Sequence, residues 1–281
     1  MSGRMEADEH RIRLTLHYDG GDFAGWQVQP GARTVQGELE AALLRLTGRA
    51  DRVTGAGRTD AGVHSTGQVV GVVVPERWDP AELRRALNAV LPRDVWVAAA
   101  QTAADDFHAR YHAVARGYVY RIGTADISRS PFVRRWCWPL AQSVSLDRLN
   151  DAAARFQGEH SFRAFAKAGQ PHLGEQSMVH VARWRATSGT TATFQVVANR
   201  FLHHMVRYMV GTMVEAAIER RPADDIDALL RNEPGLVMSR PAPAAGLYLA
   251  RVYYDMADIA TLDTEPDKDW SVGDAADEIL S

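Results

Sequence analysis

Polar and apolar residues alternate over residues 11–18, RIRLTLHY, so that Ile12, Leu14, Leu16 and Tyr18 share one face. That period of two predicts a strand. The spacing then changes. Val35, Leu39, Ala42, Leu43 and Leu46 recur at helical intervals, with Thr34 placed to cap the helix and Gly48 to stop it. Residues 51–56 predict a short strand, and residues 68–74 a longer β-branched one closed by Pro75. Asp79 followed by Pro80 supplies an N-cap and a proline at the first helical position, opening a helix through Leu83, Leu87 and Val90. Residues 94–101 predict a closing strand. The order β-α-β-β-α-β is the ferredoxin-like unit.

The second half reads the same way. Strands are expected over residues 118–123, 178–186, 191–198 and 247–254, with a hairpin at Ser188-Gly189-Thr190. Helices are expected over residues 145–156, 201–219 and 223–230. The fold class is therefore α+β: two ferredoxin-like subdomains with antiparallel sheets, related by a pseudo-twofold, with the best cleft between them. The expected organisation is an N-terminal extension over residues 1–10, subdomains over 11–105 and 106–256, and an acidic tail over 257–281. The tail is expected to be partly disordered, and Gly/Pro-punctuated residues 166–176 are expected to form a loop.

Composition narrows the class. With 46% hydrophobic and 24% charged residues, the chain is neither disordered nor fibrous. A single cysteine, Cys137, excludes an internal disulfide and any multi-cysteine metal site. The first ten residues, MSGRMEADEH, hold no apolar stretch of a secretory signal, and no run is long enough to span a bilayer, so a cytoplasmic protein is expected. The net charge of -3 hides an asymmetry: without the tail the chain holds 31 basic and 27 acidic residues, a body of +4. All but Lys167 and Lys268 of the basic residues are arginine, whose planar fork suits phosphate and base recognition. A GC-rich genome explains that bias equally well, so a nucleic-acid partner is permitted and not required.

The most unusual segment is Gly55-Ala-Gly-Arg-Thr-Asp-Ala-Gly-Val-His-Ser-Thr-Gly67. It is not a dinucleotide fingerprint, because Asp60 takes the third glycine's place and a strand follows, and it lacks the Gly-Lys-Ser/Thr ending of a phosphate loop. What remains is a tight loop presenting Arg58, Thr59 and Asp60. Read alone, it is either a hairpin turn with a local Arg–Asp pair or a functional cluster. Arg207 falls within a helix apolar on most sides, where it either reaches an edge or pairs with a carboxylate, Asp60 being the best candidate. Tyr118 and Tyr120 point to one side of a strand, either as sheet aromatics or as a stacking platform. His203 and His204 are adjacent, and His108 and His112 lack an acidic third ligand, so no metal site is expected.

These residues in this order resemble the tRNA pseudouridine synthase A family. The match runs through Tyr18-Asp-Gly, Gly25-Trp26-Gln27, Val35-Gln36, Ala56-Gly-Arg-Thr-Asp-Ala-Gly-Val-His64 and Thr66-Gly-Gln-Val69. It continues through Asn88-Ala-Val-Leu-Pro92, Asp106-Phe-His-Ala-Arg110, Arg116-x-Tyr118-x-Tyr120, Ser161-Phe162, residues 199–207 (NRFLHHMVR) and Gly246-Leu-Tyr-Leu249. The segment around Asp60 is highly specific and selects the functional alternative. The resemblance implies isomerisation of uridine to pseudouridine at positions 38, 39 and 40 in the anticodon stem-loop of tRNA, a homodimer and no cofactor. It implies that Asp60 is the catalytic aspartate, nucleophile or base, and that Tyr118 stacks on the target base. Arg207 would pair with Asp60, Arg58 would displace the base from its stack, Leu249 would wall an apolar pocket and His64 would contact substrate. The loop over residues 169–176 and the acidic tail depart from the family pattern. The competing classes, a non-catalytic RNA-binding module and an Asp-dependent hydrolase, are disfavoured by Asp60 itself and by the lack of a second carboxylate near it in sequence.

Overall fold

The computed structural model describes residues 9–49, 51–167 and 174–263. Its described part divides into two units. One holds the residues up to Val114 together with Leu249–Asp255; the other holds Ala115–Tyr248 and the residues from Met256 onward.

The first unit is built on β1 (Glu9–Tyr18), α1 (Val35–Thr47), β2 (Thr54–Gly55), β3 (His64–Pro75), α2 (Pro80–Val90) and β4 (Val95–Ala103). β1 is the centre, antiparallel to β3 on one side and to β4 on the other. Its alternation works as the pattern requires: Ile12, Leu14 and Leu16 are fully buried and face Val35 and Leu39 of α1, Leu83 and Leu87 of α2, and Val70, Val72 and Val97 of the flanking strands. Burial of each such side chain stabilises by about 1.5–3 kcal/mol. The caps form as read: the Thr34 side chain accepts from Gly37 N, that of Asp79 accepts from Glu82 N, and Gly48 takes a φ of 76°. β2 is shorter than residues 51–56 suggested: Thr54 and Gly55 pair in register with Gly71 and Val70 of β3, and beyond one bond from Ala56 N to Val69 O the chain leaves the ladder for the Asp60 turn.

The second unit holds β5 (Ala115–Gly123), β6 (Trp138–Pro139), α3 (Leu146–Ala154), β7 (Gly158–Ser161), β8 (Gln176–Ser188), β9 (Thr191–Ala198), α4 (Met205–Ala217) and α5 (Asp225–Leu230). Its strands run β5-β9-β8-β7, with β6 parallel to β5. β9 is buried along its whole length. Met209, Val210, Met213 and Val214 of α4 are buried, and Trp184 Nε1 donates to Met213 Sδ at 3.3 Å.

Three expectations shift. First, the last strand, β10 (Leu247–Tyr253), does not close the second unit alone: from Leu249 on it belongs to the first, beside β3. Ser65 Oγ donates to Leu249 O at 2.8 Å, Val114 N donates to Tyr253 O at 2.9 Å, and a Cβ on Gly67 would lie 2.0 Å from Ala250 O. The first unit runs to Val114, whose N–H makes one of these bonds. Second, α4 begins at Met205, because His204 adopts a φ of 65° that no helix continues through. Third, residues 257–263 are ordered. α6 (Met256–Ala260) and the 3-10 turn after it bury Ile259 and Leu262, and Arg183 Nη1 donates to Leu262 O at 3.3 Å. The rest of the acidic tail, and residues 168–173 of the loop, lie outside the described residues, as do residues 1–8 of the N-terminal extension. No helix among the described residues is long and apolar enough to cross a membrane.

Candidate active site

Asp60 sits where the chain passes from β2 to β3, on a turn in which Val63 N donates to Asp60 O at 3.1 Å. Gly62 takes a φ of 78° there, a positive value that β-branched or bulky residues resist. The loop is tied down on every side within the first unit. On the β3 side, Gln68 forms a closed pair with Gly57: its Nε2 donates to Gly57 O at 2.7 Å, and its Oε1 accepts from Gly57 N at 3.2 Å. Gln68 is fully buried, as a glutamine can be only when its amide is satisfied. On the β1 side, a register shift between Leu16 and Tyr18 re-aims Tyr18, whose hydroxyl is bonded to Thr59 Oγ1 at 2.8 Å. Burial pushes the Tyr18 hydroxyl up from 10.0 to about 12.

The segment before α1 closes the third side. Trp26 N donates to Thr59 O at 3.0 Å, and Gly62 N donates to Phe23 O at 3.4 Å. Gly25 has a φ of 103°, and a Cβ there would lie 2.7 Å from Thr59 O, so only glycine lets the two segments touch. Gly55 makes room for the buried Trp26 indole in the same way. The result is a half-buried Asp60 on a fixed turn, with exposed Arg58 beside a buried Thr59.

His64 and Leu249, both read as substrate contacts, are 2% and 0% exposed. His64 Nδ1 accepts from Gly20 N at 3.0 Å and lies 3.1 Å from Asp19 Oδ1. It holds the turn after β1 against the start of β3 and is almost fully buried. Leu249 offers its carbonyl to Ser65 and its side chain to the core. The residues the sequence reading left without a role are Tyr18, Gly25 and Gln68. The one local signal for them is a glutamine standing inside a β-branched run.

In the second unit, Tyr118 lies on β5 opposite Val196, 7% exposed, with its ring edge-on to Phe201 at 4.8 Å. Phe201 is free to make this contact because α4 starts after it. Tyr120, on the same side of the strand, is fully buried and donates its hydroxyl to Pro243 O at 2.8 Å. Arg207, on the first turn of α4, is half-buried rather than fully enclosed. Its Nε donates to Ala242 O at 2.7 Å, and Ala242 N returns a bond to Arg207 O at 2.9 Å. The guanidinium is thereby aimed by backbone and not left to swing.

The described residues thus hold Asp60 on a glycine-bounded turn of an α+β scaffold. Residues 15–112 and 152–255 match the profile of the family described as tRNA pseudouridine synthase. A tRNA pseudouridine synthase A from Moorella thermoacetica is 44% identical over 245 residues, covering 86% of this chain and 99% of its own. The protein of the same description from Solidesulfovibrio magneticus is 40% identical over 268 residues, covering 92% of this chain and 96% of its own. Among solved structures, the archaeal box H/ACA sRNP Nop10-Cbf5 complex aligns over 90% of this chain at 13% identity and a TM-score of 0.34, too low to carry a structural argument. The chain belongs to the tRNA pseudouridine synthase family, isomerases that form pseudouridine in tRNA.

Proposed function

We propose that this enzyme acts on uridines 38, 39 and 40 of the tRNA anticodon stem-loop, with Asp60 as its catalytic aspartate. The supporting observation is the seating of Asp60: the segment that carries the family resemblance is also the one tied to Tyr18 through the Thr59 hydroxyl and to Trp26 and Gln68 through its backbone. The reaction breaks the C1′–N1 bond, turns the uracil and forms C1′–C5, so its formula balances without a cofactor or co-reactant. One carboxylate can serve it as nucleophile or as base. In this reading Tyr118 stacks on the uracil while it is detached, Arg207 partners the aspartate, and exposed Arg58 enters the RNA stack that the target base leaves. Extruding a base costs a few kcal/mol, least in loops and weak pairs, which suits an anticodon-loop substrate. We assign His64 and Leu249 to support of the Asp60 loop.

The same reading makes the protein a cytoplasmic homodimer, and each unit a ferredoxin-like repeat. The strand order β4-β1-β3 with β2 beside β3, and the order β5-β9-β8, support the latter. The test is incubation with unmodified tRNA followed by chemical mapping of pseudouridine. Wild type is expected to modify positions 38–40. Asp60→Asn is expected to modify none while binding tRNA within a few fold of wild type. Conversion by the variant at the wild-type rate refutes the assignment of Asp60, and modification only elsewhere in the tRNA refutes the assigned positions.

A further inference from the structure

Residues 104–112 form a turn on the first unit that the proposed chemistry does not use. Its backbone is pinned from outside: Arg11 Nε donates to Asp105 O at 3.0 Å, and the Tyr254 hydroxyl donates to Ala109 O at 2.8 Å. It is also pinned from within. His108 Nδ1 accepts from the backbone N–H groups of Arg110 at 3.2 Å and Tyr111 at 3.1 Å, and His112 N donates to His108 O at 3.1 Å. Phe107 anchors the rear of the turn against Tyr254, ring centroids 5.3 Å apart.

This frame holds one large aromatic outward. Tyr111 is 77% exposed, its ring lies tilted on the His108 imidazole at 4.3 Å, and the Arg110 guanidinium stands 6.0 Å from its centroid. Burial and the neighbouring His112 lower the pKa of His108, so the ring behind Tyr111 is a neutral π surface at physiological pH. An exposed tyrosine on a mobile tip would lose entropy on stacking. On a turn pinned at Asp105, His108 and Ala109 that loss is already made on folding. Within the turn Asp105 and Asp106 face one arginine, Arg110, but a second guanidinium, Arg13 of β1, lies over the Phe107 and Tyr254 rings at 5.8 and 4.4 Å. An exposed ring with an arginine beside it favours a base and its phosphate over an acidic protein surface.

We propose that Tyr111, backed by His108 and flanked by Arg110, is a stacking platform for one unpaired nucleobase of the tRNA substrate, with Arg110 taking an adjacent phosphate. The inference rests on the reading of the chain as a tRNA-modifying enzyme and adds a substrate contact outside its chemistry. Stacking of one base on an aromatic ring corresponds to roughly 5- to 150-fold in affinity.

The experiment measures binding of unmodified tRNA to the full chain, and pseudouridine formation at saturating tRNA, for wild type, Tyr111→Ala, Tyr111→Leu and Tyr111→Phe. Ala and Leu are expected to weaken binding roughly 5- to 150-fold, with the rate at saturation within about threefold; Phe is expected to bind within about twofold. Arg110→Ala is expected to reduce the slope of log affinity against log salt by about 0.7–0.9. Wild-type affinity in both Ala and Leu variants overturns the proposal, as does a change in oligomeric mass in either, which would make Tyr111 a protein contact. Absence of pseudouridine formation by the wild-type chain would instead overturn the functional reading.

Discussion

Gln68→Met breaks the Gln68–Gly57 pair together with the Gln68 side-chain contact to the Tyr18 hydroxyl. The substitution keeps the volume of a fully buried side chain and so opens little cavity, while it removes both hydrogen bonds to Gly57. A hydrogen bond between protein groups contributes about 0.5–1.5 kcal/mol net, and a buried group stripped of its partner loses about 1–3 kcal/mol. Gly57 is only half-buried, so water can reach part of its backbone, and the expected loss for the two bonds together is about 2–4 kcal/mol. With a urea dependence of about 2 kcal/mol per molar, the unfolding midpoint should fall by about 1–2 M.

Activity should fall further than stability explains. Gly57 precedes Asp60 in the same tethered loop, and a displacement of about 1 Å at a reacting group can reduce rate about 100-fold. At 25 °C, in the absence of urea, pseudouridine formation at saturating tRNA should drop about 10- to 100-fold, with tRNA affinity within a few fold. A midpoint shift below about 0.3 M refutes the energetic argument. The full midpoint shift with an unchanged rate refutes the claim that Gln68 sets the position of Asp60.

Gly25→Ala is expected to destabilise by about 2–4 kcal/mol in urea unfolding, because the φ of 103° and the 2.7 Å approach to Thr59 O admit no Cβ; a change below about 0.5 kcal/mol would contradict that contact. Tyr18 adds a pH dependence. Between about pH 10 and 12 an unfolded chain has released this proton while the folded chain keeps it, so the folded state binds more protons and stability falls as pH rises, by about 2–3 kcal/mol at pH 12. Tyr18→Phe should flatten that part of the stability–pH curve and cost about 1 kcal/mol at neutral pH through the lost Thr59 bond. An identical alkaline slope in variant and wild type would remove Tyr18 as the cause.

What was legible in the sequence was local. Thr34, Gly48, Asp79 and Pro80 mark helix ends through bonds and φ values within a few residues, and β1 shows its buried face in its own alternation. What was illegible needed a distant partner or a backbone angle. Apolar spacing runs on through Phe201 and Leu202, and nothing in it reveals that His204 turns to positive φ and delays α4 to Met205. Acidic residues around Ile259 and Leu262 hide the spacing that buries both. The return of residues 249–255 to β3 depends on a glycine at position 67 leaving space for Ala250 O. A ferredoxin-like pattern read strand by strand assigns β10 to the half it follows in sequence.

The same division runs through the candidate site. Glycines around Arg58-Thr59-Asp60 announce a turn, and family resemblance gives its aspartate a role, but neither shows why the turn keeps one shape. That comes from β1, from the segment before α1, and from the middle of β3. Resemblance carries roles across without carrying exposure, which is why His64 and Leu249 read as ligand contacts while their surfaces are closed. A loop of this composition without Tyr18, Gly25 and Gln68 would still be a turn with an acid on it. Those three confine Asp60 to one position, so a variant chain that keeps residues 56–64 intact but loses the tethers should lose rate before it loses tRNA.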